Sequence, residues 1–126
     1  MSKRVITLTG RQPVSIDEEL WPVVAMASDS DHDNQYECQA NRKWSWAIRV
    51  RRHANGRAIV YATYQYSTQY QGERDEIAKH GDYLDANCTM DDICRAIENV
   101  ASRMPGERWD ELAAECIADL PAEALE

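Results

Sequence analysis

The stretch from Trp44 to Tyr70 constrains the fold of this chain most. Trp44 to His53 and Ala58 to Tyr70 are rich in aromatic and β-branched residues, which suit a pleated, half-buried surface, and Asn55-Gly56 joins them. Asn-Gly is the preferred pair for a two-residue type I′ turn, because both central positions need positive φ. Such a turn predicts a register: Arg52 faces Ile59, Val50 faces Tyr61, Ile48 faces Thr63 and Trp46 faces Gln65. Successive side chains of a strand point to opposite faces. One face of the predicted hairpin therefore carries Trp44, Trp46, Ile48, Val50, Ile59 and Tyr61 and is expected to pack on a core. The other carries Arg49, Arg51 and His53 beside Tyr64 and Tyr66 and is expected to be wet.

The same segment segregates charge. The chain has a formal net charge of -8, yet none of its 22 acidic residues lies within 38–72. Arg42, Lys43, Arg49, Arg51, Arg52 and Arg57 give the hairpin region +6, against -6 over residues 11–41 and -10 over 73–126. The chain thus presents two surfaces of opposite sign, and either could hold a partner.

Elsewhere the pattern is mixed. Residues 4–9 read as a short strand ended by Gly10. Ser15 followed by Glu18 has the form of a capping box, with Asp17, Glu18 and Glu19 in the first turn, and predicts a helix through Leu20, Trp21, Val24 and Ala27. Pro22 argues for a shorter version that stops at Trp21 and leaves 23–27 extended. Residues 28–42 are polar and acidic and read as an exposed loop. ERDEIAKH (73–80) is expected to make a short polar helix with Gly81 as its C-terminal cap. Thr89 caps a clear helix with apolar Met90, Ile93, Ile97, Val100 and Met104 at spacings of three and four. Pro105 opens a last helix that buries Trp109, Leu112, Ala113, Cys116 and Leu120, and Pro121 ends it. The expected architecture is one α+β domain over 1–126: a small antiparallel sheet centred on the long β-hairpin, packed against two C-terminal helices and one N-terminal helix.

Chemistry is sparse. His32, His53 and His80 fall in predicted loops or at element ends, with no motif that would organise them around a nucleophile. No GxSxG, HExxH, Walker loop or GxGxxG occurs, so no enzyme, no catalytic residue and no cofactor is expected. Asp29, Asp31 and Asp33 alternate like the start of a calcium loop. The position that needs glycine is Asn34 and the one that needs glutamate is Ala40, so no metal site is expected. Cys38, Cys88, Cys94 and Cys116 form no CxxC and read as reduced structural thiols. With no apolar run of membrane-spanning length and no signal-peptide core, a cytoplasmic protein without membrane contact is expected.

LTGRQPVSIDEELWPVVA (8–25), NGRAIVY (55–61) and CIADLPAEALE (116–126) together resemble a group of small acidic accessory proteins of proteobacterial plasmids and integrative elements. The resemblance implies a mobile-DNA setting, in which small accessory proteins often inhibit host defence, anti-CRISPR proteins among them.

Two binding functions follow. An acidic surface can imitate nucleic acid and occupy the basic groove of a nucleic-acid-handling protein. Its candidate residues are Asp91, Asp92 and Glu98 on the first C-terminal helix and Glu107, Asp110, Glu111, Glu115 and Asp119 on the second. Alternatively, the hairpin binds nucleic acid directly, with Arg49, Arg51 and Arg52 on phosphates and Tyr64 and Tyr66 stacking on unpaired bases. The acidic flanks oppose the second reading, because they repel a polyanion.

Overall fold

Strand structure continues well beyond the hairpin, and the computed structural model has four long strands of equal length. The structure describes residues 3–8, 10–33, 42–68, 74–106 and 108–121, with the far ends of the long strands described by backbone alone. A ribbon of β1 (Lys3–Ile6) and β2 (Val14–Asp17) precedes β3 (Val23–Asp33), β4 (Arg42–Arg52), β5 (Ala58–Thr68) and β6 (Arg74–Leu84), and α1 (Met90–Ser102) and α2 (Trp109–Asp119) follow. The long strands form an antiparallel sheet in the order β3-β4-β5-β6. An α+β architecture with two C-terminal helices against an antiparallel sheet is as expected.

The sheet is covered on both faces. Ala25, Ala27, Ile48, Val50, Val60 and Ala62 pack against Ile93, Ile97, Val100, Trp109, Leu112 and Cys116 of the helices. Ile59 and Tyr61 instead join Ile6, Leu8 and Ile16 of the N-terminal segment in a second, smaller core.

This partition corrects the predicted register. Arg52 faces Ala58, Val50 faces Val60, Ile48 faces Ala62 and Trp46 faces Tyr64, one residue away from the type I′ pairing. The turn is the cause. His53 donates its N–H to the Arg57 carbonyl, and Gly56 donates to the His53 carbonyl, both at 2.9 Å. Gly56 has φ +98°, and no described non-glycine residue has positive φ, so Asn55 is not in the left-handed region and type I′ is excluded. The loop has three residues, a type I turn closed by a left-handed glycine. The extra residue moves β5 by one position and turns each of its side chains to the opposite face.

Three further expectations fail. The N-terminal helix is absent: Ser15 lies in β2, and Asp17 builds a single turn, its side chain accepting the Glu19 N–H and its carbonyl the Leu20 and Trp21 N–H groups. Pro22 blocks helical continuation, and residues 23–27 are extended in β3, as the shorter version had it. The loop expected over 28–42 overlaps β3 as far as Asp33 and β4 at Arg42, and its remainder, 34–41, lies outside the described residues. The helix expected over 73–80 is β6, whose pairing with β5 overrides a weak local helical preference. Gly81 is no cap there: an added Cβ would lie 2.6 Å from the Val60 carbonyl oxygen and 2.7 Å from the Tyr61 Cβ, so β6 needs glycine for close approach.

The C-terminal expectations hold more closely. Thr89 and Asp92 form a reciprocal capping box at the start of α1. In α2, which begins at Trp109 rather than near Pro105, Trp109, Leu112, Ala113 and Cys116 are buried. Leu120 turns extended ahead of Pro121.

Candidate functional site

The one-residue shift of β5 dismantles the predicted basic and aromatic face. Arg49 and Arg51 stay on the ribbon side, whereas Arg52 and Tyr64 lie on the helix side. Arg51 is 6% exposed. Its guanidinium donates to the Tyr61 hydroxyl and the Trp21 carbonyl, each at 3.0 Å, with Glu18 at 3.8 Å. Arg52 donates to the Gly56 and Cys88 carbonyls and so ties the hairpin turn to the segment before α1. Tyr64 stacks on Trp46, ring centroids 5.4 Å apart, and the Arg108 guanidinium lies over the same indole at 4.5 Å from its centroid. Arg49 is half-buried. The side chains of Trp44 and Tyr66 lie outside the described residues, and His53 is locked in the turn, its Nδ1 accepting the Asn55 N–H.

Other cations are engaged as well. Arg4 pairs with Glu18, Arg108 with Asp29, and Arg11 and Arg103 both with Asp82. The Glu18 carboxyl is held below its ordinary pKa by the hydrogen bond from Arg4. Internal pairing therefore removes much of the basic surface that composition alone suggests.

The acids of the helices divide differently. Asp92 serves the cap of α1: it accepts the Thr89 N–H at 2.8 Å, and the hydrogen bonds with Thr89 hold its pKa below the usual carboxylate range. Asp119 accepts the Met26 N–H at 2.9 Å and so satisfies a donor on edge strand β3. Asp91, Glu98, Asp110, Glu111 and Glu115 are exposed and have no basic partner among the described residues. Glu107 lies outside them. Glu98 of α1 and Asp110 of α2 border one open groove of about 460 Å³, floored by Ala113, Ala114 and Ile117. The helix pair thus brings acids from two elements to one surface.

The spacing of that charge has a scale. The four acids of α2 lie within 11 residues that hold no base, which at ~1.5 Å rise per residue is about one charge per 4 Å of axis. A single DNA strand carries about one per 3.4 Å.

No cluster of three metal-ligating side chains occurs among the described residues. Asp29, Asp31 and Asp33 belong to β3, an extended strand rather than a calcium loop, and Asp29 pairs with Arg108. No described helix is long and apolar enough to cross a membrane. Comparison with protein-family models, curated proteins and solved structures returns no match.

Sequence reasoning missed Arg108 and Asp29 as organising residues. Only the period-two acids of SDSDHD signalled that residues 28–33 are strand; nothing in the sequence signalled the Arg108 contacts.

Proposed function

We propose that this protein is a non-enzymatic binding protein whose C-terminal helices place an acidic face on the basic groove of a nucleic-acid-handling protein. In the mobile-element setting that the sequence resembles, the partner is a component of host defence, of CRISPR type, and occupation of its groove inhibits it. One observation carries the reading: five exposed carboxylates of α1 and α2 have no basic partner among the described residues, while Arg51 and Arg52 of the hairpin are turned to internal contacts. The direct nucleic-acid reading is weaker, because it needs Arg51 in water and Arg49, Arg52 and Tyr64 on one face.

The test is a pull-down from nuclease-treated host lysate, followed by release of the captured protein with duplex DNA. Glu98→Lys with Glu115→Lys should abolish capture, and adding Asp110→Asn and Glu111→Gln should not restore it. The last two positions are neutralised rather than reversed because they lie in the first turn of α2, where a cation costs roughly 0.3–1 kcal/mol. Unimpaired capture by the variants, or binding of purified protein to single-stranded nucleic acid that Arg49→Glu removes, would defeat the proposal.

A further inference from the structure

Between the β1–β2 ribbon and the sheet lies a cavity of about 340 Å³, near the small end of the ~300–1,000 Å³ range of small-molecule sites. It lies on the sheet face opposite the acidic helices and is independent of the function proposed for them. Most of its lining is apolar, with Val14, Ile16 and Trp21 on one side and Ile59 on the other.

Besides Ser15, two polar features interrupt that lining. The Tyr83 hydroxyl oxygen is fully buried and makes no hydrogen bond. Burial raises its pKa above the ordinary phenol value, against a smaller opposing effect of Arg11, so it remains a protonated donor. An unpaired buried hydroxyl is costly, and an acceptor brought by a ligand removes that cost. The second feature is Arg57, exposed and the only residue of formal charge among the described residues lining the cavity. In a chain with 22 acids against 14 lysines and arginines, a cavity lined by one cation and no carboxylate selects for an anion.

We propose that this cavity binds a compact, mainly apolar carboxylate. Its ring or branched chain packs against Trp21, Ile16 and Ile59, and its oxygens accept from the Arg57 guanidinium and the Tyr83 hydroxyl. A cationic analogue meets Arg57 with like charge. A neutral amide keeps the apolar contact and loses the charge-assisted hydrogen bond.

The experiment titrates ¹⁵N-labelled protein with phenylacetate, phenylacetamide and phenethylamine and follows amide and indole N–H shifts. Phenylacetate should shift the Trp21 indole and the Ile59 and Tyr83 amides saturably. Phenylacetamide should bind about five- to tenfold more weakly, as expected for loss of a solvent-accessible ion pair and its hydrogen bonds, and phenethylamine should not bind. Arg57→Gln should bring phenylacetate to the level of the amide. Tyr83→Phe should weaken phenylacetate several-fold yet leave the melting temperature unchanged or raised. Absence of saturable shifts, equal affinity for the three probes, an Arg57→Gln variant that binds normally, or a Tyr83→Phe variant that melts clearly lower would each overturn the proposal.

Discussion

Replacing Arg51 by methionine removes a guanidinium that the fold holds almost wholly out of water. Two charged hydrogen bonds are lost, to the Tyr61 hydroxyl and the Trp21 carbonyl. Each such bond contributes about 1.5–3 kcal/mol, and removing one partner leaves the other polar group unpaired. Tyr61 is only 4% exposed, so its hydroxyl cannot readily turn to water instead. Against this, the variant no longer desolvates a charge, and methionine retains much of the aliphatic packing. The net destabilisation should be about 3 kcal/mol, which for a domain of this size lowers the melting temperature by roughly 10 °C. Urea unfolding followed by tryptophan fluorescence would report it as a lower midpoint at constant slope. Tyr61→Phe should cost less, and the double variant should fall short of the sum by about 1 kcal/mol, because the two side chains share a bond. A cost within ~0.5 kcal/mol, as for an ordinary surface substitution, with no coupling to Tyr61, would refute the reasoning. That result is what the alternative hairpin register demands, since it leaves Arg51 in water.

Gly56→Ala should be severely destabilising, by about 2–4 kcal/mol, since strain at φ +98° adds to a Cβ placed 2.2 Å from the Ala86 carbonyl oxygen. Gly81→Ala should cost about 1–3 kcal/mol through overpacking alone; thermal melts compare the two with wild type. Asp92 and Glu18 have carboxyls depressed in the folded state, so their contributions are present above the unfolded values and lost as pH falls through the lower folded ones. Melting temperature should therefore decline below about pH 4.5, and Asp92→Asn should flatten that decline; parallel curves would remove the capping box from the account. The Cys116 thiol, whose pKa is pushed up to about 12 by burial first and then by Asp119 and Cys94, should resist a maleimide in the native protein at pH 8 and react only on unfolding. Labelling with mass-spectrometric readout of individual cysteines checks this.

The acidic surface of the helices is legible in the sequence, though the duties of its members are not. Helical spacing puts Ile93, Ile97 and Val100 on one side of α1 and so leaves Asp91 and Glu98 in water. Spacing does not assign Asp119, because its partner is a strand N–H 93 residues away in sequence. The basic surface is misread for one local reason. Asn-Gly suits a two-residue turn, but the loop takes Ala54 as well, and a single extra residue exchanges the faces of β5.

Local pattern suffices for the two C-terminal helices: a capping threonine, apolar residues at three-and-four spacing and a terminating proline act within a few turns, where short-range energies dominate. It suffices also for the pairing of 44–52 with 58–68, because β-branched and aromatic residues flank a glycine-bearing turn. Long-range contacts, by contrast, make 74–84 a strand, keep Ser15 to Leu20 from forming a helix, and select which arginines reach water. Those outcomes depend on hydrogen bonds from neighbouring strands and on burial by the N-terminal ribbon, contributions of order 1 kcal/mol per contact that no local pattern carries and that together outweigh weak helical preference.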